Sequence, residues 1–192
     1  MLILEGLNQS FINGQWVQGL SARKYDIVNP YDNAVITTVP LATVAQLRES
    51  FELAKDAQSN WGNTSAEERK RILLRAADYL TEHREDIVDV IVQETGGTVL
   101  KANIEFQLSL DVLKESVNMV EIIRQTIDVP STIEGKVNHV RHLPLGVISS
   151  ISPFNFPMNL SMRTIAPALA LGNSVVRPAS MLSGRTRFQI SG

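Results

Sequence analysis

The stretch PLGVISSISPFNFP, residues 144–157, decides how this sequence folds. Residues 145–152 are a continuous run of apolar and small side chains, as expected for a parallel strand that is buried on both faces. Residues 152–157 contain two prolines and two phenylalanines, which exclude regular structure and fix a loop around the amide side chain of Asn155. The stretch therefore predicts a buried strand that ends in a rigid polar loop.

A helix and a second strand follow this loop. Residues 158–171 have helical character with Pro167 inside, and Gly172 stands at the C-terminal end. Residues 174–176, Ser-Val-Val, begin another buried strand. Strand, loop, helix and strand in this order make one βαβ unit, so we expect an α/β fold with a parallel sheet.

Upstream of this unit the sequence predicts a hairpin, a second pair of short strands and four helices. Asn13-Gly14 is a signal for a tight hairpin turn, and residues 25–40 contain two extended pieces around a turn. The helix boundaries are indicated at Thr43, at Thr64 or Ser65, at Gly96-Gly97, and at the ends of a fourth helix over residues 98–123.

Apolar side chains at helical spacing predict which face of each of these helices is buried. Arg69, Lys70 and Arg71 are interpreted as the solvated side of the second helix. The predicted buried positions are Val44, Leu47, Phe51, Ala54 and Trp61 in the first helix, Ile72, Leu73, Ala76 and Leu80 in the second, Ile87, Val88 and Ile91 in the third, and Ile104, Leu108, Val112, Glu115 and Met119 in the fourth.

Residues 127–144 break the helical pattern. Apolar residues alternate with polar ones on both sides of residues 134–136, Glu-Gly-Lys, which predicts a two-stranded antiparallel ribbon with an exposed turn. The chain is therefore divided into one domain, formed by residues 1–126 and 145–192, and a ribbon that protrudes from it.

Composition excludes several classes of function. With 18 Lys and Arg against 20 Asp and Glu, the formal net charge is −2, which gives no electrostatic footprint for nucleic acid or an anionic membrane. No apolar run approaches the roughly 18 residues of a membrane span, and the first residues lack the basic region of a secretory signal. We therefore expect a cytoplasmic protein. The sequence contains no cysteine, which excludes disulfides, thiolate metal sites and a cysteine nucleophile supplied by this chain.

The sequence lacks the usual motifs for nucleophilic, phosphate and metal chemistry. His139 and His142 lie near several serines in sequence, but no G-x-S-x-G elbow occurs. No glycine-rich phosphate loop occurs either, and no cluster of His, Cys or carboxylates has the spacing of metal ligands, so no metal site is expected. The best candidate is the loop at residues 152–157, because ligands of open α/β sheets bind beyond the carboxyl ends of strands. The Asn155 amide could donate to a developing oxyanion or cap the following helix, and the residues alone leave both open.

Residues 144–157, followed by APALALGNSVV at residues 166–176, resemble the N-terminal part of the aldehyde dehydrogenase superfamily, which oxidises aldehydes to acids with NAD or NADP. Weaker similarity extends upstream to Asn29-Pro30, Trp61, Arg69 and residues 94–97, Glu-Thr-Gly-Gly. The resemblance implies a partial Rossmann-like cofactor-binding domain preceded by helices, that is, an incomplete aldehyde dehydrogenase fold. The variants at residues 94–98 and 152–157 are most similar to members that act on aromatic aldehydes such as benzaldehyde or vanillin.

The resemblance also implies roles for individual residues. Asn155 matches the asparagine whose amide stabilises the oxyanion of the tetrahedral intermediate. Ser152, Pro153 and Phe154 match the loop that contacts the nicotinamide half and the ribose of the cofactor. The ribbon at residues 127–144 looks like the oligomerisation arm that joins the sheet of a neighbouring subunit, which implies a homo-oligomer.

The sequence departs from the family pattern in its last strand. Residues 174–176 are one residue shorter than the family strand, so Arg177 arrives one residue early and Pro178 takes the register of the cofactor-binding lysine. Because strand side chains alternate between faces, this shift points Arg177 away from the cofactor unless a bulge restores it. Ser180 stands near a position where NAD-preferring members have glutamate, which leaves NADP open beside NAD. We expect weak or no cofactor binding by this chain.

Two hypotheses follow from the resemblance. In the first, the chain is a truncated or frameshifted aldehyde dehydrogenase, inactive by itself because the glutamate base and cysteine nucleophile of the family lie beyond residue 192. In the second, it is a non-catalytic binding or assembly module that keeps the oligomerisation arm. Under the first hypothesis the chain supplies one of the family's three catalytic residues, Asn155.

Overall fold

A computed structural model of the protein describes residues 8–121 and 125–177. These residues form strands and helices in an order that confirms the predicted α/β class. The elements are β1 (Ser10–Ile12), β2 (Gln15–Val17), β3 (Lys24–Val28), β4 (Val35–Pro40), α1 (Val44–Asn63), α2 (Ala66–Glu82), α3 (Arg84–Thr95), α4 (Val99–Met119), β5 (Thr126–Pro130), β6 (Val137–Arg141), β7 (Val147–Ser149), α5 (Pro157–Ala170) and β8 (Ser174–Val176).

The first four strands form two separate antiparallel pairs, β1–β2 and β3–β4, which confirms both predictions for this region. Asn13 and Gly14 have φ values of 51° and 75° between β1 and β2. This is the left-handed backbone that a primed hairpin turn needs, and asparagine and glycine adopt it most readily. Phe11 and Trp16 face each other across the pair with their ring centroids 5.3 Å apart.

The helix boundaries follow local capping chemistry and confirm the predicted starts and stops. The Thr43 side chain accepts a hydrogen bond from the amide of Gln46 and the Gln46 side chain accepts one from the amide of Thr43, a complete capping box. Ser65, rather than Thr64, caps α2. Gly96 ends α3 in the left-handed conformation, with φ of 64°. The predicted end of the fourth helix lies outside the described residues, and α4 itself ends at Met119.

The hydrophobic core lies between α2, α3, α4 and α5. Its fully buried side chains include Leu73, Ile91, Phe106, Leu113 and Met158. The predicted buried positions of α3 are confirmed, and those of α2 are buried or partly buried.

The predicted faces of α1 and α4 were wrong in part. In α4, Ile104 and Leu108 are 48% and 44% exposed, whereas Ala102 and Phe106 are fully buried. The helix carries two adjacent apolar stripes, and the buried stripe also contains the polar residues Glu105 and Ser109, which a search for apolar spacing passes over. In α1, Val44 and Leu47 are exposed, at 67% and 39%.

The βαβ unit is present, but its first strand is shorter and less buried than predicted. β7 and β8 pair in parallel, with Val147 opposite Ser174 and Ser149 opposite Val176. Gly146 has φ of 116°, which is not an extended conformation and prevents the strand from beginning earlier. At the two ends of the predicted strand, Leu145 and Ile151 are 88% and 81% exposed. The expectation of a strand buried on both faces over residues 145–152 was therefore wrong.

The ribbon predicted at residues 127–144 is formed by β5 and β6, and every residue of both strands is exposed. Directly opposed residues of an antiparallel pair share a face. Ile127, Val129 and Val140 consequently lie on one mainly apolar face, which also carries Asn138. The opposite face carries Asp128 opposite His139 and Pro130 opposite Val137. Within the described ranges, no helix is long and apolar enough to cross a membrane.

Candidate active site

The carboxyl ends of β7 and β8 lie side by side and carry the candidate site. Ser149 is opposite Val176, and the amide of Ser150 donates to the carbonyl of Val176 at 3.0 Å. Residues 150–156 therefore leave the sheet at the same edge at which Arg177 leaves β8. This is the edge where ligands of open α/β sheets bind.

Asn155 lies in the loop between this edge and α5, with its side chain exposed. It does not cap the helix: the N-cap position belongs to Phe156, and no N-cap side chain closes the first turn. The interpretation of Asn155 as a helix cap was therefore wrong. Its amide remains available to a ligand at the sheet edge.

A carboxylate from another helix performs the capping. Oε1 of Glu105, in α4, accepts hydrogen bonds from the amides of Met158 at 2.7 Å and Asn159 at 3.4 Å. The Glu105 side chain is completely buried, and this burial raises its pKa above the ordinary carboxyl range, although the two amide bonds and Lys101 favour the charged form. A carboxylate here also complements the positive end of the α5 dipole.

Lys101, one helical turn before Glu105, contacts the other side of the loop. Its Nζ lies 4.6 Å from the ring centroid of Phe156 and 3.5 Å from Oε2 of Glu105. The charged pair on α4 thus holds the residue after Asn155 and the first amides of α5. Neither Lys101 nor Glu105 was predicted from the sequence to lie at this site. The signal that could have found them is a Lys and Glu at i and i+4, with the Glu inside a buried stripe.

The residues before Asn155 combine buried hydroxyls with an exposed apolar surface. Ser150 and Ser152 are 2% and 9% exposed, and their hydroxyl oxygens are buried without a hydrogen-bond partner among the described residues. Phe154 is 56% exposed, and Pro153 is also exposed. The exposed ring of Phe154 gives this edge a flat apolar surface that fits the nicotinamide ring of a cofactor, whereas the two serine hydroxyls are buried.

Of the other two predicted cofactor residues, Arg177 and Ser180, only Arg177 lies within the described residues. Arg177 is half-buried and directly follows β8. The predicted effect of the one-residue shift on the direction of its side chain stays a prediction. Ser180 and Pro178 lie outside the described residues.

The described residues that would be needed for serine or metal chemistry do not lie together. His139 bonds to Asp128 on the ribbon through Nδ1, at 2.6 Å, and both side chains are exposed. In the part of the chain that the structure describes, no histidine hydrogen-bonds to a serine. The same part contains no cluster of three His, Cys, Asp or Glu residues that could hold a metal ion.

Comparison with known proteins places the chain. The sequence profile of the aldehyde dehydrogenase family matches residues 16–188. The chain belongs to this family. The Bacillus subtilis (strain 168) protein named "Putative aldehyde dehydrogenase AldY" is 55% identical over 172 residues. The match covers 90% of this chain and 36% of AldY. Vanillin dehydrogenase of Corynebacterium glutamicum is 46% identical over 170 residues, covering 88% of this chain and 35% of that protein.

Solved structures of aldehyde dehydrogenases support the fold. The crystal structure of an NAD-dependent benzaldehyde dehydrogenase from Corynebacterium glutamicum superimposes with a TM-score of 0.89 at 42% identity, over 94% of this chain and 39% of that one. The resemblance stated from the sequence is confirmed. This aldehyde dehydrogenase chain spans 35–36% of the length of these two curated relatives.

Proposed function

We propose that the chain supplies the oxyanion-binding segment of an NAD(P)-dependent aldehyde dehydrogenase that converts an aldehyde to a carboxylic acid. The observation that carries this proposal is the exposed amide of Asn155 at the carboxyl edge of the β7–β8 sheet. Glu105 and Lys101 hold the residues on its C-terminal side, so the backbone that follows Asn155 is held before any substrate binds. Donors aimed at a developing negative charge stabilise a transition state.

The step that Asn155 assists is the addition of a thiolate to the aldehyde carbon. A carbon–sulfur bond forms, and the carbonyl oxygen becomes an alkoxide. The Asn155 amide N–H would donate to that oxygen. When the C=O bond re-forms, the hydrogen on carbon would leave as hydride to the oxidised nicotinamide, and a thioester would remain. Water would then release the carboxylic acid and restore the thiol, which this chain does not supply. Loss of one oxyanion donor typically costs about 10²–10³ in turnover.

Ser152, Pro153, Phe154 and Arg177 would hold the cofactor at this edge. The bound nicotinamide supplies the hydride acceptor. The exposed ring of Phe154 offers a surface to the nicotinamide side. Ser180 carries no negative charge that would repel a 2′-phosphate, so the proposal includes NADP as well as NAD. The expected weak or absent cofactor binding and the cytoplasmic location stay predictions.

The substrate class proposed is an aromatic aldehyde. The support is the similarity to proteins named vanillin dehydrogenase and NAD-dependent benzaldehyde dehydrogenase. We also propose that these 192 residues alone do not oxidise aldehydes, because the sequence contains no cysteine to form the thioester.

A chimera tests the catalytic proposal. This chain replaces the matching segment of the Corynebacterium glutamicum vanillin dehydrogenase, and NAD(P)H formation is followed with vanillin and benzaldehyde. We expect turnover, and we expect Asn155→Ala to lower it by about 10²–10³. Asn118→Ala, at an exposed position of α4, is the matched control and should leave turnover unchanged. A folded chimera in which both variants turn over equally would remove Asn155 from the mechanism.

The ribbon supports a further part of the proposal: residues 127–144 act as an oligomerisation arm, separate from the cofactor-binding domain of residues 1–126 and 145–192. Ile127, Val129 and Val140 are 41–46% exposed on one face of an otherwise uncovered ribbon. Covering that face with a second copy would remove apolar surface from water.

The same face favours the second candidate, a non-catalytic assembly module that keeps the arm. Light scattering after size exclusion measures assembly in either case: the double variant Ile127→Lys, Val140→Lys should be monomeric, and Thr126→Lys, on the polar face, should not change the mass. A monomeric unmodified chain would contradict the arm. Oligomers of this chain, together with a folded but inactive chimera, would favour the assembly module over the enzyme.

A further inference from the structure

A cavity lies far from Asn155, at the other end of α5. It has a volume of about 550 Å³ and lies between the α1–α2 junction and residues 141–144, which lead from the ribbon to β7. Arg69 lines it, and a Cβ placed on Gly172, just after α5, would lie 3.2 Å from Nη1 of Arg69. Because α5 spans 14 residues, roughly 20 Å of helix separates this cavity from the loop of Asn155.

Arg69 is a buried cation whose hydrogen-bonding capacity is only partly used. The residue is 3% exposed, which corrects its assignment to the solvated side of α2. Its Nη1 donates to the carbonyls of Gly62 at 3.3 Å and Thr64 at 3.0 Å, and more weakly to that of Trp61 at 3.5 Å. Its Nε is buried and has no acceptor among the described residues. Burial lowers the pKa of Arg69 from its usual value.

The three carbonyls all accept from Nη1, so Nη2 is the group of this guanidinium that remains for a ligand, since Nε is buried. A guanidinium N–H forms strong, charge-assisted hydrogen bonds to a carboxylate or a phosphate. Within residues 8–121 and 125–177, no carboxylate forms a salt bridge with Arg69. A buried guanidinium without a counter-ion is costly, and a ligand that brings the counter-ion would remove this cost.

The first turn of α2 provides a second set of donors at the same cavity. Ala66 and Glu67 line the cavity, and their amides have no carbonyl acceptor within the helix because they lie in its first turn. Ser65 already satisfies the amide of Glu68, so its hydroxyl does not compete for these two. The N-terminal end of a helix of 17 residues also carries a partial positive charge.

Charge on the remaining walls favours an anion over a cation. Arg141 and His142 line the side of the cavity that belongs to the ribbon. Glu67 is the acidic residue of the lining and opposes an anion, but its side chain is exposed to solvent. Arg69 and Arg141 together outweigh it, so the lining has a net positive charge even with His142 neutral.

We propose that this cavity binds a small oxyanion, a carboxylate or a phosphate group, through Nη2 of Arg69 and the first-turn amides of α2. Arg141 adds a second cation from the ribbon side. The site is separate from the aldehyde-oxidising machinery, and its occupancy is independent of whether the chain is catalytic. An oxyanion here would tie the base of the ribbon to the end of α1.

Titration of the full chain with inorganic phosphate and with acetate tests the proposal. Calorimetry and phosphorus NMR are recorded at constant ionic strength, with sodium chloride as the reference salt. We expect saturable binding of one anion per chain, and the tighter of the two probes identifies the preferred group. Arg141→Ala should weaken binding about tenfold, equivalent to about 1.4 kcal/mol. Arg75→Ala, which removes an exposed arginine of α2 outside the cavity, is the matched control and should not change it.

Arg69→Lys examines the guanidinium itself, since lysine keeps the charge but loses the planar group that bonds to the three carbonyls through Nη1 and presents Nη2 to the cavity. We expect binding to weaken about tenfold or more in this variant. If Arg69→Lys does not fold, the comparison of Arg141→Ala with Arg75→Ala still tests whether the anion binds in this cavity. The proposal is overturned if neither phosphate nor acetate binds more tightly than chloride, or if Arg75→Ala and Arg141→Ala weaken binding equally.

Discussion

Replacing Glu105 with alanine removes the carboxylate that caps α5 from α4. The amides of Met158 and Asn159 then lose their acceptor, and these residues are 0% and 7% exposed, so water cannot replace it freely. A buried donor left without a partner costs about 1–3 kcal/mol. The bond to Met158 is short and the one to Asn159 is long at 3.4 Å, so we expect a total loss of about 2–4 kcal/mol. For a chain of this size this corresponds to a fall in Tm of about 10 °C.

Urea unfolding at pH 7, followed by circular dichroism, measures this loss. Glu105→Gln should be less damaging than Glu105→Ala, because its amide oxygen still accepts from the amide of Met158. Glu115→Ala, at an exposed position of the same helix, is the control and should change the free energy of unfolding by less than about 0.5 kcal/mol. The capping role of Glu105 is refuted if Glu105→Ala and Glu115→Ala lower the free energy of unfolding equally. It is also refuted if Glu105→Gln lowers the free energy of unfolding as much as Glu105→Ala.

Three further predictions concern pH, backbone strain and activity. Because burial raises the pKa of Glu105 above its ordinary value of 4.5, the folded chain binds this proton more tightly than the unfolded chain; its contribution to stability is therefore fully present below pH 4.5 and is lost as the pH rises through the folded pKa. Urea titrations at a series of pH values from below 4.5 upward should show that the wild type loses free energy of unfolding that Glu105→Gln does not lose. Gly96→Ala should cost about 1–2 kcal/mol in the same assay, because φ is 64° and the new Cβ would lie 3.2 Å from Pro30 Cβ. The purified 192-residue chain should form no NAD(P)H from benzaldehyde, and turnover that follows the chain through purification would contradict this.

Elements defined by neighbouring residues could be predicted from the sequence. The turn at Asn13-Gly14, the caps at Thr43 and Ser65 and the stop at Gly96 each depend on residues within one or two turns. The βαβ unit could be predicted as well, because its order is fixed by the chain. Its burial could not, since the exposure of Leu145 and Ile151 depends on what covers the sheet.

Two buried charged residues, Glu105 beside the candidate site and Arg69 at the distant cavity, could not be predicted from apolar spacing. Glu105 and Arg69 are charged residues inside buried helix faces, at 0% and 3% exposure, and their partners are backbone groups of other segments. A pattern that counts apolar side chains assigns such residues to the surface or leaves them out. Only the packing of α4 against α5, and of α2 against the end of α1, shows which backbone amides and carbonyls these charges satisfy.

The contact between Glu105 and Met158 joins residues 53 positions apart, and this bears on how the loop of Asn155 could be transplanted. A designer who grafts residues 152–157 onto another strand–helix junction would copy the prolines, the aromatic rings and the amide, but not the carboxylate that fixes the first turn of the helix. The graft would keep the chemistry of the loop and lose its orientation. A functional transfer has to carry a second helix with a Lys and a Glu four residues apart, docked so that they reach Phe156 and Met158.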